Sequence, residues 1–276
     1  MGQGCRPEEP RPPEPQAHDA AQAAMQHVRQ QNPAERAWVT WAPGSDTAVA
    51  CVTALAMVAV YSAAVLLEPT LRVARLLLFV VFGPLFLNVL FPAYYVLRIR
   101  GEGLSELGIT TKRWWVALLI SIVLALTSLP TLLAQAAQHP GVHLLPHVLF
   151  NGLILWEPFF VYGWLQLRFE RAFGVLPGIV LAGLCFGGYH IGMAPWGGVV
   201  KIIGIGMFYG GLFRLTRNLL TLFPLTWAVS SGIGTLEANL EYGWDAVAVY
   251  AVVLLMQIAA IAMLTRSHPC SMKAAA

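Results

Sequence analysis

Between residues 46 and 266 the chain is a succession of uncharged apolar runs, each near the roughly 20 residues that an α-helix needs to cross a hydrocarbon layer. Only 11% of the 276 residues are charged and the mean hydropathy is +0.64; an ordinary soluble domain carries about 25% charged residues. A backbone in lipid must satisfy its own hydrogen bonds, and a helix does so within a single segment. The sequence therefore predicts an all-α polytopic membrane protein with about eight transmembrane helices. They are expected near residues 48–67, 76–97, 115–137, 148–168, 176–194, 199–214, 219–236 and 246–264.

Lysine and arginine set an orientation, because they concentrate on the cytoplasmic side of a membrane. With eight spans and the first segment inside, fourteen of the 17 basic residues fall inside; only Arg72, Arg75 and Lys201 fall outside. Both termini are accordingly expected in the cytoplasm, and the expected location is a bacterial inner membrane. Residues 1–45, rich in Pro, Gln, Ala and Glu, read as a disordered tail with at most a weak helix over 17–31. The helical domain then runs over 46–266, and 267–276 form a short second tail. About forty polar residues precede the first apolar run, so no cleavable signal peptide is expected. The net charge of +3 is small and dispersed, which argues against a nucleic-acid partner and leaves membrane lipid as the expected one. Cys5, Cys51, Cys185 and Cys270 show no paired spacing, so neither a disulfide framework nor a thiolate metal site is expected.

Trp38, Trp41, Trp114, Trp115, Trp196 and Trp244 fall at or near span ends, where amphipathic rings settle at the membrane interface. The sixth span is short and carries Gly204, Gly206, Gly210 and Gly211, a pattern that suits close approach of neighbouring helices. The connection over 101–115 reads as a short amphipathic element on the inner surface, with Glu102 and Glu106 solvated.

One apolar run holds a carboxylate. Glu157 lies well inside the stretch from Phe150 to Glu170, and a charge at that depth costs roughly 2.5–3.5 kcal/mol on insertion scales. Such a group needs a partner or a task. Its expected partner is His190, near the outer end of the next span, where Gly187, Gly188, Gly192 and Pro195 make the backbone irregular. Irregular backbone at membrane depth is tolerated where it lines water. At 1.5 Å per residue, Glu157 lies ~13 Å and His190 ~6 Å below the outer surface, on antiparallel neighbours, so the two are expected to meet in a hydrated pocket. Two other polar groups lie on the outer side. His139, His143 and His147 recur every fourth residue, but Pro140 and Pro146 interrupt a regular helix, so a hydrated loop is expected. Glu237, Asn239 and Glu241 read as an exposed acidic helix end.

The run from Glu157 to Trp164, Glu-Pro-Phe-Phe-Val-Tyr-Gly-Trp, resembles the first motif of the CPBP intramembrane proteases, the CAAX prenyl protease and bacteriocin-processing family. That motif reads Glu-Glu-x-x-x-Arg, commonly followed by Gly. Phe186-x-x-x-His190 resembles the second motif, Phe-x-x-x-His, and the Ser-Glu-Leu-Gly-Ile-Thr element at 105–110 resembles a further family feature. The likeness covers roughly 100–236. It implies a CPBP-like helical bundle of eight spans and a glutamate-dependent endopeptidase acting on a membrane-associated protein or peptide. On this resemblance Glu157 is the general base, and His190 positions water or a metal; a divalent metal such as zinc is left open.

The departures are specific. Pro158 stands where the second glutamate belongs, and Tyr162 where the arginine does. In the third motif, Pro followed by His-x-x-x-Asn, Pro224 is present, but Ala228 and Gly232 stand at the histidine and asparagine positions. Ser230 and Ser231 are the nearest polar groups there, so the supporting candidates are Tyr162, Phe186, Ser230 and Ser231. A catalytically inactive relative that binds a membrane partner is the alternative reading. A transporter would also explain a polar pair between spans, but the chain shows no internal repeat.

Overall fold

A computed structural model describes residues 37–67 and 71–266. The terminal segments over 1–36 and 267–276 lie outside the described residues, and with them most of the expected tails. The chain divides after Ala37, and the unit from Trp38 onward is a helical bundle with no strand among the described residues.

The eight expected apolar segments all form helices. They are α1 (Ser45–Leu66), α2 (Val73–Ile99), α3 (Trp114–Ala136), α4 (Leu144–Phe173), α5 (Val175–Gly188), α6 (Trp196–Thr216), α7 (Leu225–Glu237) and α8 (Trp244–Arg266). Six are long and apolar enough to cross a membrane; α5 and α7, with 14 and 13 residues, fall short of that length. The sixth helix, expected to be short, has 21 residues. The chain is an integral membrane protein, built as an all-α polytopic bundle.

α4 is the centre of the bundle. Its central window is 67% buried, against 17–41% for the other five long helices. Phe159, Phe160, Val161, Tyr162, Trp164 and Leu165 have no exposed surface. The peripheral helices turn apolar side chains outward instead, such as Leu119, Leu126 and Leu133 on α3 and Val252, Leu255 and Met263 on α8. A helix that is apolar on every face is stable only where its outer face meets lipid.

Charged groups gather at the two ends. At one end Arg168 pairs with Glu102 at 3.2 Å, Arg217 with Glu170 at 2.9 Å and Arg100 with Asp46 at 3.4 Å. Arg171 pairs with both Glu102 and Glu106. Glu102 and Glu106 are thus not free in solvent, as the amphipathic pattern suggested: the arginines in the last turns of α4 draw the 104–107 turn against the bundle. Gly163 makes that approach feasible, since a Cβ there would collide with the Leu107 carbonyl oxygen. At the other end Lys201 pairs with Glu237 at 2.6 Å and His139 with Glu241 at 3.3 Å.

The short segment before α1 is tied to the turn between α4 and α5. Thr40 N–H donates to Phe173 O, Ala42 N–H to Ala172 O, and Leu176 N–H to Trp38 O. Gly174, at φ +92°, admits this strap, because a side chain there would strike the Trp38–Thr40 backbone. Of the sixth-span glycines, Gly206 and Gly210 do sit against neighbours, at Phe186 and Gln166, whereas Gly204 and Gly211 face open space.

Candidate active site

Glu157 opens the second half of α4, after an interruption at 153–155. The interruption has a local cause. Pro158 has no N–H to offer the carbonyl four residues back, that of Ile154, and its ring crowds that carbonyl. Regular bonding resumes with Phe159 N–H donating to Leu155 O at 3.1 Å. The break therefore places the carboxylate in the first turn of a new helical segment, where the backbone dipole favours negative charge. The side chain is buried, with 7% of the residue exposed.

The partner of Glu157 is an indole. Trp227 on α7 donates from Nε1 to Glu157 Oε2 at 2.9 Å. His190, just beyond α5, is half-buried and directs Nδ1 to the Phe186 carbonyl at 2.7 Å. A carbonyl can only accept, so Nδ1 carries the proton and Nε2 is left as an acceptor. No hydrogen bond or ion pair joins Glu157 to His190 among the described residues. They stand on two sides of one aromatic cluster: the Phe186 ring meets both the His190 ring, at 5.4 Å, and the Trp227 indole, at 5.9 Å. Tyr189 lies 4.2 Å from His190 and 5.9 Å from Trp156.

The supporting candidates divide. Tyr162 is fully buried in the same cluster, 6.2 Å from Trp227, and donates its hydroxyl to Gly206 O at 3.3 Å. Phe186 is the ring shared by both halves of the site. Ser230 turns back on its own helix, donating to Thr226 O at 2.7 Å, while Ser231 donates to Asn151 Oδ1 at 2.9 Å.

These residues do not fit a divalent metal. A zinc site takes three or more nitrogen, sulfur or oxygen ligands. Among the described residues no three His, Cys, Asp or Glu side chains come together in that way, and the group bonded to Glu157 is an indole N–H, which ligates nothing.

Residues 137–231 match the family model described as type II CAAX prenyl endopeptidase Rce1-like. That match covers about a third of the chain. No curated protein and no solved structure matches it. The matched segment contains Glu157, Tyr162, Phe186, His190, Ser230 and Ser231, and it ends inside α7.

Three residues at or beside this candidate site escape the sequence pattern. Trp227 reads as one more apolar residue of its span. His147 lies in the first half of α4, which begins at Leu144 despite Pro146; it is fully buried, not part of a hydrated loop. The loop expectation suits His139 and His143, which precede α4. Tyr242, in the connection between α7 and α8, stacks on Phe150 at 3.7 Å and on His147 at 5.8 Å. Burial, and after it the nearby Glu157 carboxylate, pushes the Tyr242 phenol above its usual range.

Proposed function

We propose that this chain is a member of the CPBP family and an intramembrane endopeptidase that cleaves a membrane-associated protein or peptide, with Glu157 as general base. The observation that carries the reading is a buried carboxylate at a helix break, inside the segment that matches a prenyl endopeptidase family. In this mechanism Glu157 takes a proton from water as the water oxygen attacks the scissile carbonyl carbon. It returns that proton to the departing amide nitrogen as the C–N bond breaks. Trp227 holds the carboxylate in one orientation without adding charge. His190, through Nε2, accepts from the substrate and so helps orient it. No step is assigned to a metal. The reading places the protein in a bacterial inner membrane with cytoplasmic termini and the site in the outer half, facing a translocated substrate. It treats 46–266 as the working domain, with a CPBP core near 100–236.

Comparative membrane proteomics tests this: a deletion strain and a Glu157→Gln strain should accumulate the same uncut precursors. A second reading, a relative that binds a membrane partner without cleaving it, draws on the neutral residues at 158, 162 and 228. Under that reading the deletion strain alone is altered, and Glu157→Gln behaves as wild type.

A further inference from the structure

The first half of α4 packs against α7 through a buried polar cluster distinct from the Glu157 carboxylate. His147 Nε2 lies 3.0 Å from Gly232 O and 3.1 Å from Thr235 Oγ1. Asn151, one turn on, donates from Nδ2 to His147 O at 2.8 Å and accepts from Ser231 through Oδ1 at 2.9 Å. Thr235 in turn donates its hydroxyl to Ser231 O, at 3.0 Å, or to Gly232 O, at 3.1 Å.

One atom of this cluster has no protein partner. His147 has no exposed surface, yet its Nδ1 bonds to nothing. Its chemical state follows from the other nitrogen. The Gly232 carbonyl can only accept, so Nε2 carries the proton and Nδ1 presents a lone pair. A buried acceptor in an otherwise complete network calls for a donor.

The position of this imidazole is informative. It lies beside Gly232, with Cδ2 and Nε2 each 3.8 Å from where a Cβ at 232 would be. α7 bears no polar side chain at 228 or 232, and α4 brings an imidazole to that same face. His147 and Glu157 both stand on α4, ten residues apart, or ~15 Å of helix rise. An extended peptide spans that distance in about four to five residues, at roughly 3.3 Å each.

We propose that His147 is a substrate-positioning residue: its Nδ1 accepts a hydrogen bond from a backbone N–H of an extended peptide, about four to five residues from the bond cleaved at Glu157. The assignment of the cleaved bond rests on the endopeptidase reading; the peptide subsite at His147 does not. Tyr242 covers the imidazole from the α7–α8 connection, so its ring must lift for the peptide to seat.

The test uses the full chain in lipid nanodiscs with a pool of N-palmitoylated, fluorescence-quenched hexapeptides. Histidine-selective ¹⁵N NMR, with the His147 signals identified by their loss in His147→Gln, should show Nε2 protonated and Nδ1 unprotonated. The Nδ1 signal should shift when the peptides are added. A protonated Nδ1, or one that peptide leaves unmoved, overturns the proposal. In the cleavage arm His147→Gln, which can keep the donor to Gly232 O, should melt near wild type while KM rises at least tenfold. Cleavage abolished by Glu157→Gln but untouched by His147→Gln overturns the subsite and leaves the endopeptidase reading standing. A peptide-responsive Nδ1 without any cleavage does the reverse.

Discussion

Trp227 Nε1 donates to Glu157 Oε2 at 2.9 Å, joining α7 to the helix break in α4 through a neutral donor. An indole N–H donates and never accepts, so it fixes a carboxylate without neutralising it. Trp227→Phe keeps a ring in the aromatic cluster and removes only that donor. Leaving a buried acceptor unpaired costs about 1–3 kcal/mol, so the variant should lose that much stability in denaturant unfolding of the detergent-solubilised protein.

Glu157→Gln is the complementary change. The amide oxygen still accepts from Trp227, so the fold should melt close to wild type. Loss of the proton-accepting group should lower cleavage by about 10²–10⁴-fold, the range that general base catalysis contributes. Unchanged cleavage would remove Glu157 from the mechanism.

At the arginine-rich end, Glu102 faces Arg168, whose side chain is fully buried, at 3.2 Å. Removing one member of a buried pair strands the other, at a cost of about 3–5 kcal/mol; a pair open to water contributes 1 kcal/mol or less. Glu102 is partly exposed while Arg168 is not, so Glu102→Gln should fall near the lower end of the buried range. Glu106→Gln, whose carboxylate is the more exposed of the two, should cost far less. Equal losses in the two variants would mean that Arg168 is hydrated after all.

Gly163 sets two effects of opposite sign against each other. Replacing a mid-helix glycine by alanine gains up to about 1 kcal/mol of helix propensity. A methyl group there, however, strikes the Leu107 carbonyl, a backbone atom that cannot rotate aside. Overpacking costs about 1–3 kcal/mol, so Gly163→Ala should be destabilising on balance, and thermal melting in detergent would show it.

The all-α membrane fold is legible in the sequence, and so is the buried acid of the candidate site, because lipid imposes strong rules. The six tryptophans expected at the interface are all exposed, at span ends or beside them, whereas Trp156, Trp164 and Trp227 are buried in the core. Glu157 stood out because a lone acid in an apolar run is costly. Its partner did not, since an indole counts as apolar in any hydropathy reading and lies 70 residues away. The pairing of Glu102 and Glu106 is not legible for a related reason: ion pairs between distant segments leave no local pattern. His147 is hidden in the sequence by Pro146, a residue type that breaks a helix interior. In the first turn a missing N–H has no intrahelical partner to lose, so the helix starts before it and carries His147 inside.

That burial bears on how the degenerate third motif should be repaired. Placing histidine at 228 restores the family pattern on paper, but Ala228 is where α7 meets α4: a Cβ at Gly152 would already lie 3.2 Å from the Ala228 methyl. An imidazole at 228 must displace the first half of α4, and with it the cluster of His147, Asn151 and Ser231. Ala228→His should therefore lose about 1–3 kcal/mol by overpacking and gain no cleavage. Denaturant unfolding beside the peptide assay separates the outcomes. A variant that unfolds like wild type and cleaves faster would mean that α7 has room for a second imidazole beside the site of His190, and would overturn the overpacking argument.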